Sequence, residues 1–238
     1  MCVPLEAESL DGFMLALPAL GLSGFSLAPS FEREALPFVQ DLADEARATG
    51  TVDTITLSGD RLAGLSTSGR AVVAPLAALS SVAGLRIAVV GAGRIARSAV
   101  QELQARGALP TLFARNEEKA SLLAAELEIA AEPLAALGER PWDVLINATP
   151  LGSAALPDQS PLAATAHRAE SIVFDLVAEA GETPLLRDAR SAGAQTIDGV
   201  QLLVARAAAQ FEAWTGLDAP ADVMEAAAYG AVARGKTS

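Results

Sequence analysis

A glycine-rich stretch, Gly91-Ala92-Gly93, carries the clearest chemical signal in the sequence. Apolar, β-branched residues at 86–90 predict a buried strand before it, and residues 94–100 predict a helix after it. In the pattern G-x-G-x-x-A, the first glycine allows a tight turn and the second leaves room for a pyrophosphate, while Ala96 lets helix and strand pack closely. Free N–H groups at the helix start would face the phosphates. This context favours a dinucleotide site; the alternative is a glycine-rich turn that binds no ligand.

The residues after the next predicted strand, 110–114, indicate which dinucleotide fits. An acidic side chain at this point would bind the ribose 2′-hydroxyl of NAD. The sequence has Arg115 and Asn116 instead, and Lys119 follows one helical turn later. Because a planar guanidinium suits bidentate contact with a 2′-phosphate, the pattern favours NADP(H) over NAD. The alternative is that Arg115 is a solvated surface arginine.

Composition and charge exclude several other classes of protein. The 238 residues carry a net charge of -12, and 51% of them are hydrophobic. A globular protein is therefore expected, with no nucleic acid and no anionic membrane as a partner. The single cysteine, Cys2, excludes an intrachain disulfide framework, and the single histidine, His167, excludes a multi-histidine metal site. No signal peptide or membrane span is predicted, so we expect a cytoplasmic protein with no metal site.

Alternating helix and strand patterns predict an α/β protein of two domains. Residues 70–205 alternate in the manner of a parallel sheet covered on both faces, which indicates a Rossmann-type doubly wound sheet. Residues 1–69 together with 206–238 form the second, smaller α/β domain. In the smaller domain the pattern predicts strands at Cys2–Leu5 and 24–28, helices at Ala7–Leu20 and Glu34–Ala48, and a strand–turn–strand over 51–65.

Several motifs together closely resemble shikimate dehydrogenase, and the resemblance covers nearly the whole chain. They are GFSLAP (24–29), GTVDT (50–54), GLSTSG (64–69), GAGRIARSA with ARNEEKA, WDVLINATPLG (142–152), VFDLV (173–177), TPLL (183–186) and TIDGVQLLVARAAAQFEAWTG (196–216). The resemblance implies a two-domain enzyme that reduces 3-dehydroshikimate with NADPH. One domain would bind a small anionic polyol or keto acid, and the other would bind the cofactor.

The resemblance also implies a set of cofactor-binding positions. They are Gly91, Ala92, Gly93, Arg94, Ile95, Ala96, Arg115, Asn116, Lys119, Asn147, Thr149, Pro150, Val177 and Gly199.

The substrate positions implied by the same resemblance have changed. The family's catalytic lysine and aspartate fall on Phe31 and Ser68, and its substrate-binding glutamine falls on Arg206. Asp53 stands where the family has asparagine, which would place a like charge near an anionic substrate. Ser26 keeps a family residue type in the first of these motifs.

Those replacements bear directly on the chemistry. Reduction of a ketone needs a proton donor near the carbonyl, a role that a lysine paired with an aspartate fills. Phe31 has no proton to give, and the hydroxyl of Ser68 does not titrate near neutrality. We therefore carry two hypotheses: an NADP-dependent shikimate dehydrogenase or a relative with an altered substrate, and a non-catalytic nucleotide-binding or regulatory protein with a degenerate catalytic site.

The family's opening strand, with its Ser-x-Ser segment for the substrate carboxylate, has no counterpart in this sequence. The smaller domain is therefore expected to be truncated, with unpaired strand edges exposed. Since exposed edges recruit other strands, a homodimer or a partner that completes this domain is expected.

Overall fold

The computed structural model describes residues 2–178 and 182–235, which fall into two compact units. The smaller unit contains the residues up to Thr67 and the segment Gln210–Asp218. The larger unit contains Ser68–Ala209 and the residues from Ala219 onward. The fold is α/β, as the sequence predicted.

The smaller unit is built on a four-stranded mixed sheet. Its elements are helix α1 (Leu10–Leu20), strand β1 (Gly24–Ser26), strand β2 (Asp41–Leu42), helix α2 (Asp44–Thr49), strand β3 (Thr54–Ser58) and strand β4 (Arg61–Leu65). The strand order is β1-β3-β4-β2. β3 pairs antiparallel with β1 and β4, while β2 runs parallel to β4. The predicted strand–turn–strand is thus confirmed, with Gly59 at a positive φ in its turn.

Two sequence predictions in this unit are wrong. Residues 2–5 form no strand; they lie exposed and without regular structure. The helix predicted over 34–48 is replaced by a single 3-10 turn, Leu36–Phe38, followed by β2 and α2. Pro37 fits only the start of a helix, and Gln40 exchanges hydrogen bonds with the backbone of Leu62, which draws this segment to the sheet.

The larger unit contains a six-stranded sheet in which every pair of neighbours is parallel. Its elements are α3 (Ser68–Leu79), β5 (Arg86–Val90), α4 (Arg94–Ala105), β6 (Leu109–Ala114), α5 (Glu117–Leu127), β7 (Ala130–Pro133), β8 (Val144–Asn147), β9 (Ile172–Asp175), α6 (Pro184–Ser191), β10 (Gln195–Ile197), α7 (Gly199–Thr215) and α8 (Ala221–Gly235). The strand order is β10-β9-β8-β5-β6-β7, so β5 and β8 flank the point where the chain reverses direction across the sheet.

Both faces of this sheet are buried, as its apolar strands require. On one face Val89, Leu112 and Ile146 pack with residues of α3, α4 and α5. On the other face Val90, Leu145 and Val173 pack with α6 and Trp142. The predicted doubly wound parallel sheet is therefore present.

The closing helices are assigned to the two units in a way that differs from the predicted domain boundary at residue 206. Helix α7 begins in the larger unit, and its end, from Gln210, groups with the smaller one. There Trp214 donates a hydrogen bond to the carbonyl of Ile55 at 2.9 Å. Helix α8 groups with the larger unit, and in that unit Tyr229 bonds to Asp198, just before α7. Among the described helices, none is both long and apolar enough to cross a membrane.

Candidate functional site

The glycine turn lies where β5 ends and α4 begins. Gly91 has a φ of 112°, and a Cβ added there would stand 2.9 Å from the carbonyl oxygen of Ala148. A side chain at this position would suffer both backbone strain and a steric clash. Ala96 is fully buried in the first turns of α4, where it packs against the sheet together with Ala92 and Ile95. The turn therefore has the close packing that the motif predicts.

The second glycine of the motif leaves an open cradle. Gly93 is the N-cap residue of α4, and no side chain caps the backbone N–H groups of the first turn. A Cβ added at Gly93 would meet no atom within 4 Å. Uncapped N–H groups beside open space can bind an anion, and the helix dipole favours negative charge there. The residues present thus fit a pyrophosphate.

The end of β6 presents a cation to solvent. Asn116 caps α5 by accepting a hydrogen bond from the backbone N–H of Lys119 at 2.9 Å. Arg115, one residue earlier, has an exposed side chain that makes no hydrogen bond or ion pair with any residue the structure describes. The guanidinium is thus available for a 2′-phosphate, and the exposed Lys119 adds positive charge nearby.

A buried hydrogen-bond network joins the ends of β8 and β9 to Thr149 and Thr183. Asn147 and Asp175 end these adjacent strands with fully buried side chains, and the amide of Asn147 donates to the Asp175 carboxylate at 2.9 Å. The other carboxylate oxygen accepts from the Thr183 hydroxyl at 2.6 Å. The side-chain oxygen of Asn147 accepts from both the backbone and the hydroxyl of Thr149. Thr149, with Pro150 after it, is thus fixed at the carboxyl end of the sheet.

Burial raises the pKa of Asp175, against the opposing effect of hydrogen bonds from Thr183, Val177 and Asn147. The sequence alone assigns no role to Asp175. A role becomes visible only when the partner residues are brought together, since Asn147 lies 28 positions away in the chain.

Val177 and Gly199 lie at the carboxyl ends of β9 and β10. A Cβ added at Gly199 would stand 2.3 Å from the carbonyl oxygen of Val177, so only glycine allows this backbone contact. The predicted cofactor positions therefore lie at or just after the carboxyl ends of the parallel strands, where doubly wound folds bind ligands.

Two of the predicted substrate positions line a cavity in the smaller unit. Ser26, at the end of β1, and Phe31, in the turn that follows, border about 370 Å³ of space together with Phe25 and Trp214. The lining is predominantly apolar. Among the lining residues no side chain is charged at neutral pH, so the cavity offers no side-chain cation to a carboxylate.

Asp53, just before β3, points its carboxylate inward. This side chain is buried and accepts hydrogen bonds from the backbone N–H and the hydroxyl of Thr67 and from the hydroxyl of Thr54. Thr54 in turn accepts from the Gln210 amide at 3.1 Å. The carboxylate therefore orders residues 66 and 67, which gives Asp53 a structural role that the sequence did not suggest.

Ser68 and Arg206 belong to the larger unit. Ser68 is buried at the start of α3, and its hydroxyl lies 3.4 Å from a guanidinium nitrogen of Arg94, which donates to it. Arg206 is half-buried midway along α7. No group of acidic, histidine or cysteine side chains suited to a metal ion occurs in the described part of the chain.

Comparison with known proteins matches this arrangement to one family. The family model described as Shikimate / quinate 5-dehydrogenase matches residues 76–181, and the model described as Shikimate 5'-dehydrogenase C-terminal domain matches residues 199–229. A shikimate dehydrogenase (NADP(+)) from Methanosarcina acetivorans is 37% identical over 232 residues, which span 92% of this chain and 82% of that relative. The chain belongs to the shikimate dehydrogenase family.

Solved structures agree with this membership. The shikimate 5-dehydrogenase from Thermus thermophilus, in complex with NADP(H) and shikimate, superposes with a TM-score of 0.84. It is 30% identical, and the match covers 96% of this chain and 85% of that one. The 5-ketofructose reductase of a Gluconobacter strain gives the same TM-score at 27% identity, covering 96% of this chain and 86% of that one.

Within the shikimate dehydrogenase family, this chain keeps the glycine turn and an α4 N-terminus that no side chain caps. The side chain of Arg115, after β6, is exposed. The substrate motifs take part in folding here: Phe31 packs against the core of the smaller unit, and Asp53 orders the chain before α3.

Proposed function

We propose that this protein is an NADP(H)-binding member of the shikimate dehydrogenase family whose capacity to reduce 3-dehydroshikimate is impaired. The shikimate dehydrogenase from Methanosarcina acetivorans is named as an NADP(+) enzyme, and the arrangement that carries the proposal is the bare N-terminus of α4 at Gly93 together with the exposed Arg115. Bound NADPH supplies the hydride for reduction of a carbonyl. The backbone N–H groups of α4 would hold the pyrophosphate, and Arg115 would hold the 2′-phosphate.

The impairment follows from the missing proton donor. Hydride transfer to a ketone leaves an alkoxide that must be protonated, and a well-placed general acid contributes about 10²–10⁴-fold to such a step. Phe31 has no dissociable proton. The Ser68 hydroxyl accepts a hydrogen bond from Arg94, whose guanidinium does not deprotonate in proteins.

A second candidate function is reduction of a different carbonyl compound. The apolar cavity bordered by Ser26 and Phe31 suits a less polar substrate than a polyhydroxy carboxylate. The likeness to a 5-ketofructose reductase supports this candidate, because that name describes a different reductase on a similar fold. A nucleotide-binding regulatory protein is the remaining alternative.

Two measurements on the full chain test the proposal. Calorimetry with NADPH and NADH reports cofactor binding, and the absorbance of NADPH at excess 3-dehydroshikimate reports turnover. We expect tight NADPH binding with little or no turnover. A chain that does not bind NADPH would contradict the proposal, and rapid turnover would show that the site is not impaired.

The double variant F31K/S68D tests the cause of the impairment. Restoring the lysine and aspartate should raise the rate of 3-dehydroshikimate reduction by about 10²-fold or more. The matched variant F31M/S68N alters the same positions without supplying an acid and should leave the rate unchanged. Equal rates in the two variants would argue instead for an altered substrate.

A further inference from the structure

Tyr229, the one tyrosine of the chain, lies on α8 and bonds to the start of a different helix. Its phenol donates to the carboxylate of Asp198, whose two oxygens lie at 2.9 and 3.1 Å. Burial and the carboxylate raise the pKa of Tyr229 to about 12. At neutral pH the phenol therefore keeps its proton and remains a hydrogen-bond donor.

Asp198 connects this contact to the carboxyl edge of the sheet. It follows β10 directly, and one of its oxygens accepts hydrogen bonds from the backbone N–H groups of Val200 and Gln201 in the first turn of α7. Gly199 lies between Asp198 and Val200 in the chain, and its Cα lies against the backbone of Val177. A displacement of Asp198 would therefore shift Gly199 against the backbone of Val177.

The hydrogen bond between Tyr229 and Asp198 is an important constraint on the position of the first turn of α7. A cavity of about 190 Å³ is bordered by Tyr229, Val200, Gly199, Val177 and Thr183, so none of the side chains that the structure describes fills the space beside the first turn of α7. At the rim, Arg190 pairs with Glu182 and donates to the Thr196 hydroxyl. Both of these charged groups are thus already engaged with partners other than Asp198.

The position of Asp198 and Gly199 in the sheet indicates which half of the dinucleotide would lie beside them. In a doubly wound sheet the cofactor lies across the switch point, with one mononucleotide over each half. The glycine turn and Arg115 follow β5 and β6, which assigns the adenosine half to that side. The remaining half, the nicotinamide nucleotide, then lies over β8, β9 and β10, where Gly199 and Val177 are found.

We infer that Tyr229 is a positioning residue for the nicotinamide half of the cofactor. Through Asp198 it holds the backbone of Gly199 and Val177 in register, although its own side chain belongs to the closing helix. This inference rests on the proposed NADP(H) binding.

The test compares a whole cofactor with a fragment. Calorimetry of the full chain with NADPH and with adenosine 2′,5′-bisphosphate separates the two halves, because the bisphosphate lacks the nicotinamide nucleotide. Tyr229→Phe should weaken NADPH binding about three- to tenfold and leave bisphosphate binding unchanged. Val223→Ala, an exposed change on the same helix, should alter neither.

Three other outcomes overturn the inference. Unchanged NADPH binding by Tyr229→Phe would show that the hydrogen bond has no influence on the site. Equal weakening of both ligands would show a general loss of structure, which urea unfolding of the same variant would register. If the parent chain binds neither ligand, the proposed function itself fails, and this result is distinct because no substitution is involved.

Discussion

At the scale of single residues, cofactor preference depends on Arg115. Its exposed guanidinium makes no ion pair within the described chain, so contact with a 2′-phosphate breaks no existing bond. Arg115→Ala should weaken NADPH binding by about 1.5–3 kcal/mol, the value of a charge-assisted bidentate contact, and leave NADH nearly unaffected. Calorimetry with both cofactors measures the difference.

The control for this substitution is Arg106→Ala, which removes an arginine that is paired with Glu102 at the end of α4. That change should leave both affinities unaltered. Equal weakening of NADPH and NADH by Arg115→Ala would contradict the assignment of NADP.

Asp175 gives a second prediction at this scale, on stability. Replacing its carboxylate by the amide of asparagine turns one acceptor into a donor facing Thr183 or Asn147, which leaves a buried group unsatisfied. Asp175→Asn should therefore lower the free energy of unfolding by about 1–3 kcal/mol. Urea unfolding monitored by circular dichroism measures the change.

The difference in the free energy of unfolding between the parent chain and Asp175→Asn should also depend on pH. Burial raises the pKa of Asp175 in the folded chain above its unfolded value of about 3.9, so its stabilising contribution is fully present below that pH and is lost as pH rises through the folded pKa. The advantage of the parent over Asp175→Asn should thus be larger near pH 4 than at pH 7. The exposed variant Asp158→Asn controls for loss of one charge, and an advantage that grows with pH would refute the account.

At the scale of elements, the two glycines of the β5–α4 turn have separable roles. Gly91→Ala introduces strain at a φ of 112° and a clash with the Ala148 carbonyl, so it should destabilise the fold by roughly 1–3 kcal/mol. Gly93→Ala meets no protein atom and should leave stability unchanged, while its methyl group blocks the place of the pyrophosphate.

Unfolding and NADPH binding, measured on both variants, distinguish these roles. Gly93→Ala should unfold like the parent chain and bind NADPH at least about tenfold more weakly, because the second glycine permits backbone approach to the pyrophosphate. Parent-like NADPH binding by Gly93→Ala would mean that this turn does not hold the cofactor.

Elements that depend on local sequence were predictable. The strand–glycine–helix unit at β5 and α4, and the hairpin of β3 and β4, are specified by residues a few positions apart. Prediction failed where a distant partner decides the structure. The apolar spacing over 34–48 resembles a helix, yet Gln40 pairs with Leu62 on β4. Likewise, no local pattern indicates that residues 2–5 lack a neighbouring strand.

The candidate site also has a part that the sequence could predict and a part that it could not. Sequence motifs suffice to predict cofactor positions, because their glycines and Arg115 would act through their own backbone or charge. The structural roles of Asp53 and Asp175 needed contacts with Thr67 and Thr183 that exist only in the folded chain. A motif identifies which positions have changed, but only the structure shows which new bonds those residues make.

At the scale of the whole molecule, the two units differ in how much backbone they protect. The sheet of the larger unit is covered on both faces, and β5, β8 and β9 lie inside it. The edges of the smaller sheet are β1 and β2, with three and two residues. Exposed Leu5, Leu15 and Leu20 add an apolar surface in this unit.

We therefore predict that amide hydrogen exchange is faster in residues 2–67 than in residues 85–178. The slowest amides should be those of β5, β8 and β9, because they exchange only through global opening, and the fastest ordered ones those of β1 and β2. If a second copy or another partner pairs with the outer edge of β1, protection of Gly24–Ser26 should rise with protein concentration, in step with the sedimentation coefficient. Equal protection of both segments in a chain that stays monomeric would show that the small sheet is as stable as the large one.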